Sequence, residues 1–287
     1  MLQIIRFIWK HPISGKNRFY ALWRLLWWQI ISRFKNQVVV SYGSESRLLA
    51  SKGLAGATGN IYTGLHEFRE MAFFLHACRQ DDVFLDVGAN VGSFCVLIGK
   101  EIGCAVRAFE PVPQSYERLR KNLTLNGIEA DSAMNVGVGK VGGTLRFSSE
   151  LDTVNHVLLS SGESGIEVPV VTLDDSIIEA NGFLVKVDVE GFEMEVILGA
   201  KETLGKTMGL MVELNGSGGS YGFSDDNVRS VLDSLGFVEV DYNPFKRELI
   251  RMSTEADNAL FVKEKHWNQM KKRLESAPKR TVFGVEF

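Results

Sequence analysis

The chain has 287 residues, of which 45% are hydrophobic and 23% are charged, and its formal net charge is −3. These values indicate a globular protein with one large core and an appendage, or two small domains, and they exclude a low-complexity chain. Three cysteines without metal-type or disulfide-scaffold spacing (Cys78, Cys95 and Cys104) predict buried free thiols, so we expect a cytoplasmic protein.

The first 36 residues carry seven basic side chains and no acid, so their formal charge is +7 and the remainder carries −10. Helical spacing relates the apolar residues Phe19, Leu22, Trp23, Leu26, Trp27, Ile30, Ile31 and Phe34. We therefore predict a basic amphipathic helix within an N-terminal segment, residues 1–50. Arg24 and Gln29 interrupt it, so it is too short to span a bilayer, and no cleavage site makes it a signal peptide.

Two interpretations of this helix stay open. It lies at the inner face of a membrane, attracted by anionic lipid, or it packs on the protein or on a second subunit of a homo-oligomer. Nucleic-acid binding is disfavoured because the body of the chain is acidic.

Residues 51–80 are predicted to connect this segment to the main domain and to cover one side of a ligand site. Gly53, Gly56 and Gly59 indicate a loop, and a helix follows over 67–79. Tyr62 and His66 are the polar residues of this stretch that we expect near the site.

A strand, a glycine turn and a helix follow at residues 83–98. Asp86 stands near the end of the strand, and Gly88 and Gly92 frame the turn. Glu110 ends the next strand, 24 residues after Asp86, at the spacing of an acid that binds a ribose diol. Both acids are also suited to capping helices, which is the simpler interpretation of either one alone.

The dinucleotide pattern G-x-G-x-x-G is missing from this turn, which disfavours a nicotinamide-dependent oxidoreductase. A nucleoside without phosphates suits the turn better, and S-adenosylmethionine is such a ligand. We expect its amino-acid tail at Asp86, Gly88 and Asn90 beside Gly92, its ribose at Glu110, and its adenine at Asn135 or Val136.

The rest of the chain alternates strands and helices. We predict strands at 132–138, 144–147, 168–173, 183–189, 209–214, 238–242 and 259–262, and helices at 114–122, 174–181, 193–199 and 226–235. The last two strands form an antiparallel hairpin with a long connection, residues 148–167 form a functional loop, and a basic helix and turn lie in the tail, 265–287.

Four strings carry a family resemblance: Asp86-Val87-Gly88-Ala89-Asn90-Val91-Gly92, Glu110-Pro111, Val171-Thr172-Leu173-Asp174 and Lys186-Val187-Asp188-Val189-Glu190-Gly191-Phe192-Glu193. Together they resemble the FkbM family of S-adenosylmethionine-dependent methyltransferases, over roughly residues 62–262. The resemblance implies an α/β, Rossmann-like class I methyltransferase domain over 81–264, with seven strands, the last antiparallel, and helices on both faces. It also implies O-methylation of a sugar or another natural-product hydroxyl, often in polysaccharide or lipopolysaccharide assembly.

Methyl transfer to a hydroxyl needs a positioned acceptor and a general base. His156, in the long loop, and Lys186, Asp188 and Glu190, which alternate along one strand and its end, are the candidate catalytic residues. The candidate substrate-binding residues are Asp152, Asn155, Glu213, Asn215 and Tyr221. We expect no metal ion, although Asp188, Glu190, Glu213 and Asn215 offer oxygen ligands to a divalent cation. A non-enzymatic component of a glycan assembly complex is the alternative from another class.

Overall fold

An eight-stranded sheet occupies the centre of the protein, in a computed structural model that describes residues 2–52, 55–148, 156–158, 165–176, 180, 182–252 and 256–287. Within these residues the strands are β1 (Val38–Ser41), β2 (Arg47–Ala50), β3 (Val83–Val87), β4 (Ala105–Phe109), β5 (Ala133–Met134), β6 (Gly137–Val138), β7 (Gly143–Phe147), β8 (Ile166–Val171), β9 (Phe183–Val187), β10 (Thr207–Glu213), β11 (Phe237–Asn243), β12 (Glu248–Arg251), β13 (Asn258–Lys263), β14 (Thr281–Val282) and β15 (Val285–Glu286).

The helices lie between and around these strands. They are α1 (Leu2–Lys10), α2 (Arg18–Phe34), α3 (Ala55–Thr63), α4 (Phe68–Ala77), α5 (Ser93–Ile102), α6 (Pro113–Leu125), α7 (Glu193–Leu198), α8 (Lys201–Lys206), α9 (Asp225–Ser234) and α10 (Trp267–Ser276). None of the helices in the described residues is both long and apolar enough to cross a bilayer.

The order of strands in the central sheet is β12-β11-β13-β10-β9-β3-β4-β5. Strands β10, β9, β3, β4 and β5 are parallel, and β13 runs antiparallel between β10 and β11. This confirms the predicted class I sheet with a reversed last strand. The expected strand count was too low, because β12 pairs with β11 inside the predicted long connection and adds an eighth strand at the edge.

Alternate residues of the central strands point to opposite faces, and each face has its own core. Phe84 and Leu184 pack in the same cluster as side chains of α2, α4, α5, α6 and α10, while Leu85 and Val185 pack with side chains of α7, α8 and α9. Helices therefore cover both faces of the sheet, as predicted.

Two further predictions about elements were wrong, and one was confirmed. The glycine-rich stretch after residue 54 is the helix α3, and Gly59 serves close packing there, because a Cβ on it would lie 2.2 Å from Nδ1 of His66. The third strand, expected over 132–138, splits into β5 in the central sheet and β6 in a small sheet of order β6-β8-β7. The helix predicted in the N-terminal segment is present as α2, and a further helix, α1, precedes it.

Candidate active site

A cavity of about 290 Å³ opens at the carboxyl end of β3, β4, β9 and β10, where ligands of open α/β sheets bind. Its wall comes from the turns after these strands, from α4 and the residues before it, and from the β5–β6 junction. Gly88 forms the floor with a φ of +78°, and a Cβ there would lie 1.7 Å from the carbonyl oxygen of Asp188. Only glycine lets the turn after β3 lie this close to the end of β9.

Glu110 is buried in the cavity wall, and both of its carboxylate oxygens bind the backbone. Oε2 accepts from the N–H of Asn90 at 2.8 Å, and Oε1 accepts from the N–H of Val112 at 2.9 Å. Burial raises the pKa of Glu110 to about 7, although these two N–H groups favour the charged form. Each oxygen keeps a further lone pair, so the carboxylate can accept two hydroxyl groups from a ribose.

Asn90 presents an unsatisfied acceptor on the other side of the glycine turn. It has a φ of +50°, and its Oδ1 is buried without a hydrogen-bond partner among the described residues. A buried amide oxygen without a partner is costly, so this atom is suited to a ligand that brings a donor.

Of the two residues expected near the adenine, Val136 lines the cavity and Asn135 does not. Val136 lines the cavity together with Phe109 and Val112, which makes an apolar wall beside Glu110. Asn135 does not line it, because its amide donates to the carbonyl oxygens of Glu110 and Pro111 and holds the two strand ends together.

Lys186 is a buried ammonium between two carboxylates. Its Nζ lies 3.4 Å from Oδ1 of Asp86 and 3.1 Å from Oδ2 of Asp188, and it donates to the carbonyl oxygen of Gly88 at 3.2 Å. Burial alone would lower the pKa of Lys186, but the charges of Asp188, Asp86 and Glu67 outweigh it and raise the pKa. Lys186 therefore stays charged, and it lines one cavity together with Asp188 and Glu190. Their catalytic roles stay predictions.

Asp86 lies beneath the cavity and does not line it. Its Oδ2 accepts from the N–H of Cys95 at 3.1 Å, and its side chain is 1% exposed. We expected Asp86 to contact the amino-acid tail of the cofactor. The geometry disfavours this contact, because the carboxylate points to α5 and Lys186. Gly92 is also outside the wall. A Cβ there would lie 2.6 Å from Cδ1 of Leu119, so this glycine serves helix packing.

Three carboxyl groups gather at the other end of the cavity. One oxygen each of Asp188, Glu190 and Glu213 lies within 4.8 Å of the others. Burial, followed by the charges of Asp188 and Glu190, raises the pKa of Glu213 to about 9, so Glu213 holds a proton at neutral pH. Such a set can share a proton, and it also offers oxygen ligands to a cation.

Glu190 has the geometry of a functional residue. Its φ is +55°, a strained conformation for a side chain of this kind, and residues in such conformations concentrate at active sites. Burial and the charges of Asp188 and Glu193 raise its pKa to about 7. The turn is held by Glu193, whose Oε1 accepts from the N–H groups of Val189 and Gly191 at 3.2 and 3.0 Å.

The loop residues are only partly brought together. His156 acts electrostatically on Glu190 but does not line the cavity, and its backbone pairs with Ser148. Tyr221 donates to the carbonyl oxygen of Val157 at 2.8 Å and packs edge-on against Phe192, so it braces the cavity from behind. Asn215 accepts from the N–H of Ser217 outside the wall. Asp152 and Asn155 lie outside the described residues.

Glu67 is a cavity residue that the sequence did not reveal. Its Oε1 accepts from the amide of Asn258 at 2.9 Å, and burial and the charge of Asp188 raise its pKa to about 7. His66 lines the same wall, as expected, whereas Tyr62 lines a separate groove between α1, α2 and α3. Glu67 carries no motif, and only its position before the buried helix α4 could have indicated it.

Comparison with known proteins decides the family. A model of the methyltransferase FkbM domain matches residues 86–239, more than half of the chain. The chain belongs to the FkbM methyltransferase family. This match includes Glu110, Lys186, Asp188, Glu190 and Glu213, and therefore most of the cavity described above.

Two curated relatives are similar to this FkbM methyltransferase. Hexuronic acid methyltransferase AglP of Haloferax volcanii is 28% identical over 151 residues, which are 49% of this chain and 59% of AglP. Methyltransferase 1 of Beauveria bassiana is 26% identical over 205 residues, which are 60% of this chain and 81% of that protein. The solved structure of M. jannaschii TYW2 in complex with AdoMet has 14% identity and a TM-score of 0.42, over 80% of this chain and 87% of that chain.

The protein is an S-adenosylmethionine-dependent methyltransferase, and its cavity fits this cofactor. Glu110 has lone pairs for the ribose hydroxyls, and the unsatisfied Oδ1 of Asn90 is an acceptor for the amino group of the tail. Phe109, Val112 and Val136 supply an apolar wall for the base. The expected cofactor is therefore matched by the chemistry of the cavity as well as by the family.

Proposed function

We propose that the protein methylates a hydroxyl group of a sugar, in a polysaccharide, a lipopolysaccharide or a glycosylated natural product. The proposal rests on Glu190, which lies in the cavity wall, has a strained backbone conformation, and has a carboxyl pKa raised to about 7. A base with a pKa near the working pH is most effective at removing a proton from a hydroxyl. The name of the relative AglP, a hexuronic acid methyltransferase, supports a sugar acceptor.

In the proposed reaction, S-adenosylmethionine supplies a methyl group bound to a sulfonium. A bond from the acceptor oxygen to the methyl carbon would form as the carbon–sulfur bond breaks, and the bonding pair would stay on sulfur. Glu190 takes the proton of the hydroxyl, so the products are a methyl ether, a thioether and a protonated carboxyl group. His156, which is near enough to Glu190 to act on it electrostatically, is the alternative base from the loop.

The neighbouring groups have supporting roles in this proposal. Lys186 fixes Asp188 at 3.1 Å, and the proton on Glu213 keeps the cluster from carrying three negative charges. Asp188 and Glu213 then orient the acceptor through hydrogen bonds. Phe147 and Phe192 line the same cavity and give apolar surfaces suited to a sugar ring. Acceptor binding by Tyr221, Asn215, Asp152 and Asn155 stays a prediction.

The charge of the cavity favours a hydroxyl over a carboxylate as the methylated group. Among the described residues, the cavity is lined by one ammonium, that of Lys186, and by the carboxyl groups of Glu67, Glu110, Asp188, Glu190 and Glu213. A sugar carboxylate would meet repulsion from the charged members of this set and would need no base. We therefore place the acceptor among hydroxyl groups.

Methyl transfer to a panel of acceptors tests this function. The panel contains neutral nucleotide sugars, nucleotide uronic acids and extracted glycans, and the readout is the S-adenosylhomocysteine formed together with the mass of the product. We expect a mass gain of one methyl group on a sugar hydroxyl, lost in Glu190→Gln and kept in Glu195→Gln, a half-buried control of the same chemistry on α7, outside the cavity wall. Methylation at a carboxylate, or of a nitrogen in a non-sugar acceptor, would contradict the proposal.

We also propose that the enzyme works in the cytoplasm. Cys78, Cys95 and Cys104 are buried free thiols in the folded protein, as predicted. Reduced cysteines are typical of a reducing compartment, where an S-adenosylmethionine-dependent enzyme meets its cofactor.

A further inference from the structure

Helix α2 carries apolar residues on two opposite faces. Ala21, Leu25 and Trp28 are buried against the body of the protein, in the same cluster as the central sheet. The other face forms an exposed stripe of large apolar residues with fractional exposures of 56% to 88%: Phe19, Trp23, Leu26, Ile30 and Phe34. Their spacing of four, three, four and four residues places them along one side of the helix.

The stripe places five large apolar side chains at the surface along one side of the helix. It extends over 16 residues, from Phe19 to Phe34, about 22 Å of helix, and exposed apolar patches of this kind mark interaction surfaces. The opposite face holds the helix in place, since the guanidinium of Arg24 donates to the carbonyl oxygens of Ile61 and Ser41. The stripe is therefore presented to solvent by a helix whose orientation is fixed.

Charge identifies the occupant of this surface. The first 36 residues hold seven basic side chains and no acid. Arg33 borders the stripe on the helix surface, and Arg18, at the start of α2, lies over the ring of Trp9. Two copies of this chain that met through the stripe would bring two such basic segments together, which is repulsive. An anionic lipid surface attracts the basic side chains and accepts the apolar ones.

We propose that α2 docks the enzyme on an anionic bilayer. The helix lies in the plane of the interface, with Phe19, Trp23, Leu26, Ile30 and Phe34 among the acyl chains and the basic residues at the lipid phosphates. Tryptophan and phenylalanine are well suited to this depth, since they combine large apolar area with a preference for the interface.

Docking has a consequence for the acceptor, which rests on the proposed function. A groove of about 650 Å³ runs between α1, α2 and α3, lined by Ile4, Phe7 and Trp28 with Arg33 and Lys52. His66 lines both this groove and the catalytic cavity. A docked α2 thus brings the catalytic cavity close to the bilayer, where a glycan carried on a membrane lipid would be presented.

Vesicle co-sedimentation of the full chain tests the proposal. We expect binding to phosphatidylcholine vesicles that contain phosphatidylglycerol, weak binding to phosphatidylcholine alone, and release by salt. The double variant Leu26→Ser with Ile30→Ser should bind the anionic vesicles about tenfold or more weakly. The matched control, Val141→Ser with Met252→Ser, removes two exposed apolar residues elsewhere and should bind as the wild type does.

The outcomes separate the possibilities. Equal vesicle binding by wild type and the α2 variant, or no binding by the wild type, overturns the proposal. A wild-type dimer in lipid-free solution that the α2 variant converts to a monomer would assign the stripe to a second copy instead. Turnover of a soluble acceptor should be the same in both variants. Loss of vesicle binding with unchanged turnover would therefore show that the stripe serves docking and not catalysis. Vesicle binding without any sugar methylation would leave docking in place and reject the proposed function.

Discussion

Replacement of Glu110 by alanine is the most direct test of the cofactor site. The carboxylate is buried, and its oxygens hold Asn90 and Val112 by backbone bonds of 2.8 and 2.9 Å while each keeps a lone pair for a ribose hydroxyl. Loss of one hydrogen bond to a charged group costs about 1.5–3 kcal/mol. Glu110→Ala should therefore bind S-adenosylhomocysteine about 10- to 150-fold more weakly, measured by titration calorimetry.

Two controls make the Glu110 result interpretable. Glu117→Ala removes the same group from an exposed position on α6 and should leave affinity unchanged. Wild-type affinity should rise with pH toward and through about 7, because the pKa of Glu110 is raised to about 7 and the charged form is the better acceptor. This step should be absent in Glu110→Ala. Unchanged affinity in a folded Glu110→Ala variant would refute the ribose assignment.

Three further predictions concern the acidic end of the cavity. Glu190→Gln should lower turnover by about 10²–10⁴-fold while cofactor affinity is kept, and wild-type log kcat/KM should rise with pH up to about 7. If Glu190→Gln keeps nearly full turnover and His156→Ala is inactive, the base is the histidine. For Glu213, the folded pKa of about 9 lies above the ordinary value of 4.5, so its contribution to stability is complete below pH 4.5 and is lost as pH rises through 9. Glu213→Gln should therefore gain urea resistance over the wild type as pH rises from 6 to 9, and a constant difference between the two would show that Glu213 is not protonated in the fold. Chelator treatment should leave activity unchanged, because Lys186 and the proton on Glu213 already offset the charge of the cluster; activity that vanishes with chelator and returns with magnesium would establish a metal at Asp188, Glu190 and Glu213.

Local signals account for what the sequence predicted well. The turn after β3 needs glycine at position 88, and the acid Glu110 follows at the spacing that the second strand imposes, so both could be recognised without a structure. The same holds for the string from Lys186 to Glu193, whose alternation and turn residues lie on one strand and its end.

Long-range packing decided what the sequence did not reveal. Glu67 reaches the cavity because α4 packs on the sheet and Asn258 holds the carboxylate, a pairing of residues 191 positions apart. Asp86 is turned inward by the ammonium of Lys186, 100 residues later. The strand β12 was taken for a connection, because its four residues show no alternation of apolar and polar side chains, and three of the four are exposed in the fold.

The two edges of the central sheet have a consequence for aggregation. At one end β5 has two residues, and at the other β12 has four and carries the charged side chains Glu248 and Arg251. Arg251 is further engaged by Glu264 at 2.7 Å and lies over the ring of Trp267. Short, charged edges do not template the addition of strands from another molecule. Self-association of a damaged or concentrated sample should therefore not start from the edges of the central sheet.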